Sequence, residues 1–294
     1  MTRWFAEWEI CEQLFNNWPS IRSYLKSCQE GDVCPALSLQ GLTLFDSCME
    51  LYIELAATID GLGPFVRACH VLEGDGFLAP LVYDKLLELR EHTEVAGFPN
   101  VKALSRSRHP HDAGAQHTLV SHGKSCVQPC FRYFNDRFFL FQTKSDLKSA
   151  VSFFKSARIV NPLRFNDLFP ESERPAAFAT FTFLSDAERE SLEAETPKYR
   201  ALSRDLAGDI DIADWWRRMS RELPNFASLA FNLMLTQPSS ACVERCFSLL
   251  RTMLSDKQES MLEDGVEVSV MLRFNENSRN TLPEDVRQRL PLAF

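Results

Sequence analysis

The chain has 294 residues, 45% of them apolar and 11% aromatic, with a formal net charge of -8. That size and apolar share suffice for a packed core, while the acidic balance excludes a surface that binds nucleic acid broadly, because phosphate neutralisation needs clustered Lys and Arg. No apolar run approaches the ~20 residues that span a bilayer, and the opening MTRWFAEWEI carries charge where a signal peptide has an apolar stretch, so an intracellular protein is expected.

Phe5, Trp8, Cys11, Phe15 and Trp18 recur every three or four residues, as on one buried helical face. Pro19 suits the start of a second helix, which predicts an opening helical hairpin. Leu44, Cys48, Leu51, Leu55 and Ile59 form the next stripe, with an interruption expected at Gly61-Leu62-Gly63-Pro64 before Phe65, Val66, Cys69 and Leu72 resume it. Leu81, Val82, Leu86 and Leu89 mark a further helix with Pro80 in its first turn.

Between Gly97 and Gln128 the apolar period is lost, and a basic, His-rich loop is expected, with Lys102, Arg106, Arg108 and Lys124 against Asp112. Helical spacing returns at Phe131, Phe134, Phe138 and Phe141, then at Leu147, Val151 and Phe154, until the Pro-containing run from Asn161 to Pro175 breaks it. The alternating FATFTFL segment lacks the partner strands that would make it a sheet. Ser185-Asp186-Ala187-Glu188 reads as a capping box opening a charged helix.

The last 85 or so residues are the most regular. Asp211 can cap a helix bearing Ile212, Trp215, Trp216 and Met219, and Pro224 can open another with Phe226, Leu229, Ala230 and Leu233. Ser240 can cap a third with Val243, Phe247, Leu250 and Leu254 on one face, and Val266, Val270 and Phe274 mark a fourth. The pattern predicts a mainly α protein without internal repeats.

Nine cysteines are present but no CxxC pair, and Cys11, Cys48, Cys69 and Cys246 stand among apolar residues, where a thiol serves as a small core hydrophobe. His109, His111, His117, His122, Cys126 and Cys130 gather in one stretch, and four of them can in principle satisfy a tetrahedral zinc. Their spacing fits no common finger, so a polar loop is expected and no metal is assigned. Cys242 and Cys246 flank Glu244 one turn apart, which supplies too few ligands and reads as packing. Gly61-x-Gly63 and Gly74-Asp75-Gly76 lack the strand-to-helix setting of a phosphate cradle, and neither GxSxG nor HExxH occurs. No cofactor or small-molecule substrate is therefore expected.

The run Asp211-Ile-Ala-Asp-Trp-Trp216, Pro224, and PSSACVERCFSLLRTMLSDKQESMLEDGVEVSVMLRFN from Pro238 to Asn275 resembles the C-terminal dimerisation region of hAT superfamily transposases. The double Trp, the Ser-rich cap before Glu244-Arg245-Cys246-Phe247-Ser248, the Leu254-Ser255-Asp256 turn and the closing Val266-Glu267 to Asn275 helix carry the resemblance. Thr2-Arg3-Trp4 is similar to the motif opening that family's helical insertion domain, which Trp18-Pro19 to Tyr24-Leu25 and the Leu86 to Arg90 helix fit more loosely. Leu262 and Gly265 depart from the family pattern, which often has a capping Ser at the first position.

The resemblance implies a helical insertion domain followed by the terminal helices of an incomplete ribonuclease-H-like fold. It divides the chain into residues 1–95 (insertion-type domain, first part), 96–130 (the loop), 131–207 (second part), 208–280 (dimerisation region) and 281–294 (tail). Such transposases hold two divalent metals on three carboxylates, of which Glu244 matches the third; the first two precede the Arg-Trp motif, here Arg3-Trp4, so they and the upstream zinc finger are not expected in this chain. Glu244 is then vestigial, an acidic residue in a first helical turn, and no enzyme activity is expected. In the family the Trp of the Arg-Trp motif stacks near the DNA end, which makes Trp4, with the neighbouring Arg3, a candidate DNA contact and DNA a weak candidate partner, alongside the reading of Trp4 as a core edge. Trp215, Trp216, Phe247, Leu250, Leu254 and Val270, with Met253 and Met271, carry more apolar area than four short helices hide. They imply a homodimer or pairing with a related hAT-type protein, an association module rather than an enzyme. The same residues packing on the preceding domain is the competing reading. The alternative function is a piece of a DNA-binding transposase whose nuclease needs further sequence. The resemblance favours the nucleus over the cytoplasm.

Overall fold

The computed structural model of the chain describes residues 3–30, 49–74, 76–140, 145–204, 206, 208, 210–239 and 271, with side chains from residue 8 onward in the first helix. Among the described residues every regular element is helical and no strand occurs, so the mainly α expectation holds. Two compact units are present, one within Met1–His70 and Tyr83–Phe153, the other within Val71–Val82 and Phe154–Phe294.

The first unit is built on α1 (Arg3–Glu30), α2 (Met49–Leu72), α3 (Val82–Val95), α4 (Pro99–Arg108) and α5 (Ala113–Asn135), the last running into a π-helical turn at Asp136–Leu140 and followed by α6 (Ser145–Ala157). Two expected breaks are absent. Pro19 lies inside α1 and Pro64 inside α2, so the opening hairpin is one continuous helix and the Gly61 to Pro64 interruption is helical. A proline costs one backbone hydrogen bond, which tertiary packing can outweigh. At α1 the packing is visible: Phe15 and Trp18 lie 5.2 and 4.7 Å, between ring centroids, from Tyr52 of α2. At α2, one turn before Pro64, the Gly61 carbonyl accepts a hydrogen bond from His92 Nε2 of α3 at 3.0 Å, which fixes the proton on that nitrogen.

The loop expected over 96–130 is the principal correction to the fold, since most of it is α4 and α5. Its apolar period is hidden because the buried stripe uses small residues. Val101 and Ser105 on α4, and Gly123, Val127 and Phe131 on α5, point inward one turn apart. Ile53, Ala56, Ala57, Phe98, Val101, Val127 and Phe131 form the core, with Phe15, Phe65, Leu104 and Leu119 packed against it. A Cβ at Gly123 would stand 3.1 Å from Val101 Cγ1, and one at Gly61 3.1 Å from Val127 Cγ1, so glycine sets how closely these helices approach. Phe98, in the left-handed region at φ 49, gives α4 no side-chain cap; Asp60 of α2 supplies one, accepting from Val101 N at 3.1 Å and Asn100 Nδ2 at 2.7 Å.

The second unit comprises a 3-10 turn (Arg158–Val160), α7 (Phe165–Leu168), α8 (Arg174–Ala179), α9 (Asp186–Ser203), α10 (Ile212–Met219) and α11 (Pro224–Met234). The FATFTFL segment forms the end of α8 and the turns after it, with Phe178 and Phe181 buried. The capping box at Ser185 is present, Ser185 Oγ accepting from Glu188 N while the Glu188 carboxylate accepts from Ser185 N at 2.7 Å. Cys11 and Cys69, expected in the core, are only partly buried, and Cys48 and Cys246 lie outside the described residues.

Candidate self-association region

An aromatic cluster organises the second unit. Tyr199 comes from α9, Trp215 and Trp216 from α10, Phe226 from α11 and Phe165 from α7. Tyr199 is the hub, its ring 4.1 Å from Phe165, 4.7 Å from Phe226 and 5.1 Å from Trp216. Trp215 and Trp216 meet edge to face at 4.7 Å, the arrangement favoured by the ring quadrupoles. Tyr199, Trp216, Phe165 and Phe226 are wholly enclosed and Trp215 is 4% exposed.

Burying Tyr and Trp requires a partner for each polar tip. Both tips reach the same 3-10 turn: Tyr199 Oη donates to Ile159 O at 3.1 Å, and Trp216 Nε1 donates to Val160 O at 2.7 Å. Burial pushes the Tyr199 hydroxyl well above its ordinary value of 10.0, keeping it a donor.

The helix termini are secured by acids. Asp211 caps α10 by accepting from Asp214 N at 3.0 Å, as expected. Leu223 gives α11 no side-chain cap and Pro224 occupies its first turn. Glu195 of α9 fills that role, Oε1 accepting from Asn225 N at 3.0 Å and Asn225 Nδ2 at 2.6 Å, and Oε2 from Phe226 N at 3.0 Å. Lys198 of α9 pairs with Glu222 just before α11. Thus α9 and α11 are joined through rings inside and charges at the rim.

Trp215 and Trp216, expected at a dimer interface, are buried within one protomer: Tyr199 and Trp216 pack on Trp215, and the 3-10 turn, Tyr199 and Phe226 enclose Trp216. Large apolar side chains exposed in this part of the unit are Leu202 of α9, Phe231 of α11 and Leu235 at its C-terminus, at 38%, 39% and 83%. Glu244, Phe247, Leu250, Leu254 and Val270 lie outside the described residues, as do the helices expected after Ser240, apart from Met271, which is helical and 57% exposed. Arg3 and Trp4 start α1, and their side chains lie outside the description.

Tyr199 and Glu195 escaped the sequence reading because α9 looks like a charged surface helix. A signal was present, since Leu192, Thr196, Tyr199 and Ser203 keep helical spacing and are its buried residues. The His/Cys gathering is spread mostly along helix rather than loop, and among the described residues His122 and Cys126 come together with Glu54 of α2. His122 Nε2 lies 3.2 Å from Glu54 Oε1 and 3.9 Å from Cys126 Sγ. Burial first, and then the Glu54 charge, push the Cys126 thiol above its ordinary value of 9.0.

Among the described residues no helix is long and apolar enough to cross a membrane. Residues 190–275 match the family model of the hAT family C-terminal dimerisation region. No curated protein and no solved structure matches the chain. The matched span begins inside α9, so Glu195 and Tyr199 belong to it together with α10 and α11.

Proposed function

We propose, from the premise that this is a hAT-type, transposase-like chain with a dimerisation module at residues 190–275, that its activity is association: two copies, or one copy and a related hAT-type chain, pair through that module. The match over residues 190–275 is the single observation that carries this reading. On it, the Tyr199 and Trp216 cluster is the rigid base of the module rather than its contact face. Phe231 and Leu235, one turn apart on the outer side of α11, are the first apolar residues offered to a partner. A stable interface buries about 800 Å² per partner, more than these two side chains provide. The apolar stripe of Phe247, Leu250, Leu254 and Val270, within the same matched span, supplies the remainder.

The proposed activity is association, and no DNA cleavage is assigned to the chain. DNA contact at Arg3 and Trp4 is secondary here, and its salt dependence would report the non-specific phosphate attraction.

Light scattering on the purified chain and on the Phe231→Glu/Leu235→Glu double variant tests the reading. The chain is expected to have twice the protomer mass, and the variant to fall to protomer mass with its helical circular dichroism retained. An unaltered dimer in the variant would remove α11 from the interface.

A further inference from the structure

We propose that Glu54, His122 and Cys126 form a binding site for a zinc-class divalent cation, joining α2 to α5 within the first unit. It is independent of the self-association reading and of residues 190–275.

Geometry carries the proposal. The three candidate ligand atoms lie within 4.8 Å of one another. A tetrahedral zinc with bonds of about 2.0–2.3 Å to nitrogen, oxygen and thiolate sets its donor atoms roughly 3.3–3.7 Å apart. Here the nitrogen-to-oxygen separation is 3.2 Å and the sulfur-to-nitrogen separation 3.9 Å, both within a few tenths of an ångström of those values, and the oxygen and sulfur lie within 4.8 Å of each other, so the set closes on a cation by small side-chain movements. His122 and Cys126 are four residues apart on α5, hence on one face, and Glu54 faces them across the helix pair.

Both partners converge on the same imidazole nitrogen, Nε2. A thiol-imidazole-carboxylate catalytic relay uses the two ring nitrogens separately, one for the nucleophile and one for the orienting acid. Convergence on one nitrogen instead surrounds a point with donors. Without metal, Nε2 can hold the ring proton and donate it to Glu54; the cation takes that place, the ring proton moves to Nδ1 by exchange with solvent, and the thiol proton passes to solvent. Imidazole and thiolate select a borderline-soft cation over Mg²⁺ or Ca²⁺, which take oxygen ligands. The side chains of His122 and Glu54 are 38% and 45% exposed, which leaves the fourth position open to water.

The test is titration of the chelator-treated full chain with Co²⁺, followed by displacement with Zn²⁺. A thiolate-to-cobalt charge-transfer band saturating at one equivalent per chain is expected, together with visible bands of four-coordinate cobalt. Cys126→Ser should abolish the charge-transfer band and His122→Ala should weaken binding at least tenfold, both with unchanged circular dichroism. Zn²⁺ should raise the melting temperature of the chain and not that of a Glu54→Gln/His122→Ala variant. No thiolate band, or a band that survives Cys126→Ser because another cysteine produces it, overturns the proposal. So does an equal rise in melting temperature in the double variant.

Discussion

Glu195 caps a helix to which it does not belong: its carboxylate takes the backbone N–H groups of Asn225 and Phe226, each at 3.0 Å, at the start of α11. Asp60 does the same for α4 across the first unit. Both capped helices open with a proline and have no side-chain cap of their own, so a distant carboxylate satisfies their orphan donors and interacts with the positive end of the helix. Glu195→Ala should therefore lower stability by about 0.5–2 kcal/mol, the range of a lost N-cap. Asp186→Ala, an exposed first-turn acid in the same helix, should cost less. Denaturant midpoints of the two variants compare them directly.

Trp216 separates packing from hydrogen bonding. Trp216→Phe retains most of the ring contact with Tyr199 and Phe226 but leaves Val160 O without its donor, for a loss of about 1–3 kcal/mol. Trp216→Ala, which also opens a cavity, should cost about 3–5 kcal/mol. Thermal unfolding that ranks the two variants equally would remove the indole N–H from the account.

Close helix approach in the first unit predicts intolerance at Gly123. Leucine there must displace Val101 and Ala57, both already in contact range of a Cβ, and overpacking of that kind costs about 1–3 kcal/mol. Leucine is nevertheless the better helix former. A stabilised Gly123→Leu variant would show that propensity outweighs packing at this crossing.

The fold was legible where large apolar residues mark the helices and polar residues mark their caps, as at Ser185 and Asp211. It was not legible in α4 and α5, whose inward positions include Ser105 and Gly123, residues that hydrophobic periodicity does not count. Pro19 and Pro64 read as breaks because local propensity does not contain the tertiary contacts of Trp18 and Gly61. In the candidate region, an apolar stripe names a buried face without naming what buries it. The stripe at Trp215 and Trp216 leaves open whether a second copy or the same protomer covers it, and both rings are buried within one protomer. Glu54 lies 68 positions from His122, beyond any local spacing rule.

Glu188 gives a pH dependence whose sign follows from its hydrogen bonds. Those from the Ser185 hydroxyl and backbone N–H hold its carboxyl below the ordinary value of 4.5. A carboxyl lowered in the folded state contributes stability that is present above the unfolded value and is lost as pH falls through the lower folded value. The melting-temperature difference between the chain and Glu188→Ala should be constant at neutral pH and shrink below about 4.5. A difference that widens on acidification would reverse the assignment.

The account rests most directly on the mass of the purified chain in solution, measured by multi-angle light scattering across a dilution series from tens of micromolar downward. It predicts a species of twice the 33.6 kDa protomer that dissociates on dilution. A single 33.6 kDa species at every concentration would contradict pairing between two copies and leave only pairing with a different chain.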